Sequence, residues 1–152
     1  MMIALGCDHG GYKLKGTIIK YLGNKHIPYK DFGTYSQESV DFPKYATEVA
    51  ESVKAKECES GILCCGTGVG MSIAANKVPG IRAAVVGDCF TAKATKEHNN
   101  ANIICIGERV TGEGLALMIV ETWLNAKFEN GRHKMRLNLV EDIEKNIINR
   151  IY

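Results

Sequence analysis

The chain has 152 residues, of which 45% are hydrophobic and 24% charged. This length and balance are typical of one globular domain, and they exclude a disordered or collagen-like chain. The 19 basic and 17 acidic residues leave a net charge of +2, well short of the one-sided excess of a nucleic-acid-binding surface. The longest apolar run, residues 115–120, is too short to cross a membrane. We therefore expect a single domain over residues 1–152, with neither nucleic acid nor a membrane as partner.

The amino terminus runs from Met1 directly into an apolar stretch, without a basic region or a small-residue cleavage site. The six cysteines are then expected to be reduced thiols and not a disulfide framework. These features predict a cytoplasmic protein.

Short apolar runs rich in β-branched residues recur along the chain and predict five strands. They lie at residues 3–7, 27–32, 61–65, 82–86 and 103–107. Helical spacing of apolar residues separates the strands. It is clearest at Leu14, Ile18 and Leu22, and at Ala46, Val49, Ala50 and Val53, where Asp41 and Pro43 mark the helix start.

Regular alternation of strand and helix predicts a parallel sheet covered on both faces. The fold class is therefore α/β, a three-layer α/β/α Rossmann-like domain with a five-stranded parallel sheet. One helix is predicted over about residues 112–127, and an extra C-terminal helix over about 138–151.

The C-terminal helix carries a stripe of apolar side chains on one face. Its members are Leu139, Val140, Ile143, Ile147 and Ile151. The stripe either packs on its own domain or docks on a second subunit, and the sequence alone does not separate these alternatives.

Reactive side chains follow the predicted strands, where ligands bind in open parallel sheets. Asp8 and His9 follow the first strand, Cys65 ends the third, and His98 and Asn99 end the helix after the fourth. We expect a carboxylate, two imidazoles and a thiol to converge there. A separate interpretation of His98 is a simple cap at a helix carboxyl end.

The segment after Cys65 contains Gly66, Thr67, Gly68 and Gly70. Closely spaced glycines let backbone N–H groups turn toward an oxyanion, and the following helix amino terminus would favour a thiolate at Cys65. Cys64, inside the strand, is interpreted as a small buried hydrophobe.

Nucleotide-binding motifs are the main competitors for this loop. A P-loop would require Gly-Lys-Ser/Thr, but Gly70 is followed by Met71. The spacing of Gly66, Gly68 and Gly70 approximates a dinucleotide fingerprint, with Asp88 downstream as a ribose ligand. A noncatalytic nucleotide- or sugar-phosphate-binding module is therefore the second hypothesis.

The histidines show no i, i+4 pair and no Cys-x-x-Cys partner, so we expect no metal. A basic cluster, residues 132–136, precedes the predicted last helix. It is either a solvated face or a clamp in which Arg132 and Arg136 bind a phosphate.

Together, residues 8–11, 65–70, 98–99, Arg132 and Arg136 resemble the ribose-5-phosphate isomerase B family over essentially the whole chain. The resemblance implies a cofactor-free aldose-ketose isomerase that interconverts D-ribose 5-phosphate and D-ribulose 5-phosphate through an enediolate. Galactose-6-phosphate and allose-6-phosphate isomerases share the scaffold, so a hexose 6-phosphate remains an alternative substrate.

The resemblance also implies residue roles. Cys65 would be the general base, and the N–H groups of 66–70 with Thr67 would hold the enediolate oxygen. His98 would assist ring opening, while Asp8 and Asn99 would bind hydroxyl groups. The phosphate would be bound by His9, Arg109, Arg132 and Arg136.

One branch of the family has a glutamate base where this chain has Met71. Methionine cannot accept a proton, which places the chain in the cysteine branch. The resemblance further implies a homodimer or dimer of dimers, in which His98, Asn99 and the two arginines of the clamp reach the neighbouring subunit's site.

Overall fold

The computed structural model describes residues 2–145. Their strands form one five-stranded, fully parallel sheet with the order β2-β1-β3-β5-β4. The strands are β1 Ile3–Cys7, β2 Tyr29–Asp31, β3 Ser60–Cys65, β4 Ala83–Val85 and β5 Ile103–Gly107. All five were predicted, and β2 and β4 are shorter than the apolar runs that predicted them.

Helices alternate with the strands as the periodicity predicts. They are α1 Tyr12–Asn24, α2 Phe42–Lys54, α3 Val69–Ala75, α4 Cys89–Glu97, α5 Glu113–Asn125 and α6 Arg132–Glu144, with a 3-10 turn at His9–Gly11 before α1. No helix within residues 2–145 is long and apolar enough to cross a membrane.

The sheet separates two hydrophobic clusters, one on each face. On one face α1, α4 and α5 pack around the buried indole of Trp123. On the other face α2 and α3 pack around Val49 and Met71. Because successive strand residues point to opposite faces, Cys64 joins the first cluster and Cys65 the second. This arrangement confirms the three-layer α/β/α fold.

The last helix begins six residues before the predicted start. Asn130 and Gly131 have positive φ angles of 60° and 54°, and α6 begins directly after this turn. His133 and Leu137, four residues apart, are the buried side chains of α6, so its inward face starts earlier than the predicted stripe. The basic cluster of residues 132–136 therefore forms the first turns of α6 and does not precede it.

The apolar stripe on α6 packs only partly on its own chain. Leu139, Val140 and Ile143 are 48%, 49% and 55% exposed. Val140 and Ile143 border a groove of about 520 Å³ between α6 and the β4 side of the sheet. The other two predicted members, Ile147 and Ile151, lie outside the described residues.

Candidate active site

The candidate site lies where β1 and β3 run side by side. From this pair the chain builds outward in both directions, to β2 on one side and to β5 and β4 on the other. Such a switch point opens a crevice beyond the strand ends. Cys7 pairs with Cys64, so Asp8 and Cys65 emerge beside each other. A Cβ on Gly11 would lie 2.3 Å from the Cys64 carbonyl carbon, which shows how closely the turn after β1 packs against β3.

Cys65 ends β3, and the residue is only 6% exposed. The Gly68 backbone N–H donates to Cys65 Sγ at 3.0 Å, a contact that would stabilise the negative charge of a thiolate. Gly68 adopts φ +82°, and an added Cβ would lie 3.0 Å from the Cys105 carbonyl oxygen. Only glycine fits this conformation without strain, so the loop sequence is what aims the N–H at sulfur.

The remainder of the glycine loop forms the start of α3. Thr67 is exposed, and its Oγ1 accepts from the Val69 N–H at 3.4 Å. Gly70 lies against the ring of Phe42 from α2. Met71 is fully buried, so its side chain is part of the core and offers no surface to a ligand.

The three other cysteines of the central strands are completely buried. Burial raises the pKa of the Cys7 thiol to about 12 and also raises that of the Cys105 thiol. Burial likewise holds the pKa of Cys64 well above its usual range. These thiols stay protonated at neutral pH, and the interpretation of Cys64 as a buried hydrophobe is confirmed.

Asp8 and His9 are fixed by the backbone around them. Asp8 Oδ1 accepts from the Gly10 N–H at 2.8 Å. His9 Nδ1 accepts from the Val40 N–H at 3.2 Å. Since Nδ1 is the acceptor, the proton of the neutral His9 ring is on Nε2, which can donate to an anionic ligand.

Two residues that follow β5 also lie at the carboxyl-terminal end of the sheet. The Arg109 N–H donates to the Gly66 carbonyl at 3.0 Å, and the Arg109 side chain lies over Gly66, where an added Cβ would be 3.3 Å from Cδ. Glu108 turns inward instead, and its Oε2 accepts from the Leu14 N–H at 2.9 Å. Arg109 thus joins Asp8, His9 and Cys65 at the carboxyl-terminal end of the sheet.

His98 and Asn99 do not join them within one chain. Helix α4 begins at the carboxyl end of β4, and β5 runs parallel to β4. The end of α4 therefore lies at the opposite, amino-terminal end of the sheet, where β5 begins. The prediction that both imidazoles converge with Cys65 is therefore wrong for a single chain. A crossover helix between parallel strands returns the chain to the end of the sheet at which the next strand starts.

Arg132 and Arg136 lie on the same distant side as His98. The Glu129 N–H donates to the Glu97 carbonyl at 3.0 Å, which ties the start of α6 to the end of α4. Both arginines are exposed and stand four residues apart on one face of α6, as a phosphate clamp requires.

Sequence reasoning missed two residues near His98. The His133 ring stacks on His98 with centroids 4.5 Å apart and planes at 6°, and Glu129 Oε2 lies 3.3 Å from His133 Nε2. Donor atoms of the three side chains lie within 4.8 Å of one another. The i, i+4 spacing of Glu129 and His133 is the signal that could have revealed them.

Asp88, the candidate ribose ligand, serves as a helix cap. Its Oδ1 accepts from the Thr91 N–H and its Oδ2 from the Thr91 hydroxyl, both at 2.7 Å. The hydrogen bond from the Thr91 backbone also lowers the pKa of Asp88. Its place at the start of α4 is therefore explained by helix capping, without a ribose ligand.

Comparison with known proteins identifies the family. The sequence profile of the Ribose/Galactose Isomerase family matches residues 3–140. The chain belongs to this family.

Individual members of the ribose/galactose isomerase family align over nearly their whole length. The chain is 47% identical to ribose-5-phosphate isomerase B of Escherichia coli over 94% of this chain and 96% of that one. The solved ribose-5-phosphate isomerase B of Clostridium thermocellum superposes with a TM-score of 0.95 at 53% identity, covering 97% and 99% of the two chains. That of Mycoplasma genitalium, solved with bound ribulose-5-phosphate, gives 0.90 at 39% identity, covering 95% and 96%. The predicted resemblance is confirmed.

Proposed function

We propose that this isomerase interconverts D-ribose 5-phosphate and D-ribulose 5-phosphate, with the Cys65 thiolate as general base. The observation that carries the proposal is the Gly68 N–H aimed at Cys65 Sγ at 3.0 Å, at the switch point of the sheet. The names of its relatives supply the substrate. The activity then belongs to pentose phosphate metabolism in the cytoplasm.

The proton transfer follows from this arrangement. The thiolate removes the proton from C2 of the open aldehyde, and the electron pair of that bond gives an enediolate with negative charge on O1. The same thiol returns the proton to C1, while the hydroxyl proton moves from O2 to O1, and the ketose forms. A positioned base contributes about 10²- to 10⁴-fold and an oxyanion donor about 10²- to 10³-fold. Thr67 and the N–H groups of residues 66–70 are the proposed oxyanion donors.

Substrate binding is divided between the two ends of the sheet. At the carboxyl-terminal end, near Cys65, Asp8 binds a sugar hydroxyl while His9 and Arg109 contact the phosphate. At the amino-terminal end, we assign His98 to opening of the furanose ring and Asn99 to a second sugar hydroxyl. The phosphate clamp of Arg132 and Arg136 lies on the same side. One site can use both sets only if a second copy supplies the second set.

We therefore propose a homodimer, or a dimer of dimers, with shared active sites. Exposed apolar side chains beside the open β4 edge support this docking. They are Val69 and Ile73 on α3, Val85 on β4 and Phe90 on α4, exposed by 48%, 59%, 41% and 81%. Phe90, in the first turn of α4, is the most exposed of these four residues and the natural anchor for a second copy.

Proton NMR of D-ribose 5-phosphate in deuterium oxide tests the function, with EDTA-treated protein. We expect ribulose 5-phosphate carrying solvent deuterium on carbon, because the thiol exchanges its proton. Ketose without deuterium would point to a shielded proton or a hydride shift. No conversion would reject this substrate, and allose and galactose 6-phosphates would be assayed next.

The variant Cys65→Ala tests the base. We expect turnover to fall by about 10²-fold or more, because the proton acceptor is removed. Cys89→Ala is the matched control, since Cys89 is a partly buried thiol at the start of α4 with no proposed role. Turnover near the wild-type rate in Cys65→Ala would contradict the assignment.

A further inference from the structure

The rings of His98 and His133 stack on each other at the amino-terminal end of the sheet, far from Cys65 of the same chain. The His133 side chain is 8% exposed and that of His98 is 44% exposed. One ring is therefore held in the protein while the other presents a face and edge to solvent. Nearly parallel aromatic rings at 4.5 Å restrict each other's rotation, because turning one ring would drive its atoms into the other.

Backbone hydrogen bonds hold the pair in place. The His98 N–H donates to the Ala94 carbonyl at 2.8 Å, at the end of α4. The His133 N–H donates to the Asn130 carbonyl at 3.0 Å, and the Glu129 N–H to the Glu97 carbonyl at 3.0 Å. Both imidazoles thus project from helix ends that are bonded to each other.

Glu129 lies beside both rings. Its Oε2 is 3.3 Å from His133 Nε2 and 4.0 Å from His98 Nε2, and the buried His133 Nε2 makes no hydrogen bond within the described residues. The Glu129 carboxylate therefore faces both imidazole rings and would stabilise positive charge on His98 while it transfers a proton. Stacked rings direct their nitrogen lone pairs in parallel and not toward a shared point, which suits stacking better than joint coordination of a metal ion.

We propose that His133 is a positioning residue for ring opening, which fixes the plane of the His98 ring with Glu129 beside it. The inference rests on the function proposed above, in which His98 serves the site of the neighbouring copy. During opening, His98 as imidazolium gives a proton to the ring oxygen while the bond from that oxygen to C1 breaks. The anomeric hydroxyl loses its proton to water, C1 becomes the aldehyde, and solvent reprotonates His98.

The two substrates separate ring opening from proton transfer at carbon. Ribose 5-phosphate is a closed furanose and must be opened before Cys65 can act. Ribulose 5-phosphate cannot close into a furanose, because the oxygen that would attack its C2 carbonyl carries the phosphate. Exchange of its C1 proton with deuterium oxide therefore needs Cys65 and not ring opening.

The test compares His133→Ala with His133→Phe, which keeps a flat ring and removes the nitrogens. For His133→Ala we expect kcat with ribose 5-phosphate to fall about 10- to 100-fold, as for a catalytic group displaced by about 1 Å. KM should stay unchanged, and deuterium entry at C1 of ribulose 5-phosphate should stay within about twofold of wild type. His133→Phe should recover most of the lost kcat.

Lys134→Ala is the matched control, because Lys134 lies in the same turn of α6 with its side chain 50% exposed, and it should leave both rates unchanged. Equal losses of isomerisation and exchange in His133→Ala, or a raised KM for both substrates, would overturn the inference in favour of a disturbed phosphate clamp. Unchanged kcat would overturn it as well. If His133→Ala does not fold, as judged by circular dichroism, the comparison of His133→Phe with Glu129→Gln carries the test, since only the latter should lower kcat. Wild-type protein inactive on ribose 5-phosphate would instead refute the proposed function.

Discussion

Adjacent cysteines in β3 show how strand geometry separates two identical side chains. Cys64 points into the cluster around Trp123, where burial keeps its thiol protonated. Cys65 points to the other face at the last position of the strand, where a loop N–H reaches its sulfur. A single step along the strand thus distinguishes a core side chain from the proposed base.

Thiol alkylation under native conditions should follow this distinction. We expect limiting iodoacetamide to label Cys65 and the partly buried Cys89, while Cys7, Cys64 and Cys105 react only after unfolding, because the thiolate is the reactive form. Peptide mass spectrometry gives the extent at each site. Ribose 5-phosphate should protect Cys65 and leave the labelling of Cys89 unchanged. Native labelling of Cys64 at the rate of Cys65 would contradict the assignment.

The sequence was sufficient to predict that Cys65 ends a strand and precedes a glycine loop, whereas its role as general base stays a prediction. It was not sufficient for Glu129 and His133. Their proximity to His98 depends on the Glu129 N–H bond to Glu97, a contact between segments more than thirty residues apart. The i, i+4 spacing places Glu129 beside His133, but no local pattern encodes their contact with His98.

At the scale of elements, α1 is capped by a distant part of the chain. Gly11, at its N-cap position, has no side chain to accept the first backbone N–H groups. Glu108, from the turn after β5, accepts the Leu14 N–H instead. This bond ties the start of α1 to the loop that carries Arg109, so helix and site are fixed together.

Replacing Glu108 with alanine should lower the free energy of unfolding by about 1 kcal/mol, the usual cost of losing an N-terminal cap. Glu51→Ala is the control. Its exposed ion pair with Lys54 at 3.6 Å should contribute less than about 0.5 kcal/mol. Urea denaturation followed by circular dichroism measures both, and equal losses would show that Glu108 acts only as a surface charge.

Most helices and strands were predictable because their apolar periodicity matches burial on one face of the sheet or on both. The start of α6 was not. Its first turn is basic, which opposes the helix dipole, and His133 takes an inward position where the pattern predicts an apolar residue. The inward His133 ring packs on His98 at the end of α4, a contact that the apolar pattern does not predict.

At the scale of the molecule, the candidate site residues are divided between the carboxyl-terminal and amino-terminal ends of one sheet. This division was not predictable from motifs, because the order of residues along the chain does not say at which end of a crossover helix they lie. Family resemblance alone supplied the second subunit. The structure supports that proposal by separating Cys65 from Arg136.

Mixing two inactive variants tests the shared site. Cys65→Ala and Arg136→Ala should each lose activity, the second mainly through a raised KM. When subunits exchange, a mixed dimer contains one site with both substitutions and one with neither, so an equal mixture should regain about a quarter of wild-type activity. As a control, Cys65→Ala mixed with Cys65→Ser should regain none. No recovery despite exchange, followed by light scattering and mass spectrometry, would place both residues in the same chain's site.

The strand order also bears on how the chain folds. The central strand β3 pairs with β1 and β5, partners about 57 and 42 residues away along the chain. No two neighbouring strands can be joined by a tight hairpin, so every pairing requires closure of a long loop before it gains stability, and folding should be slow relative to helical bundles of equal size. During synthesis, the Cys65 loop lacks one wall until β5 and the following Glu108 and Arg109 have been made, so the candidate site cannot form while only the first two thirds of the chain exist.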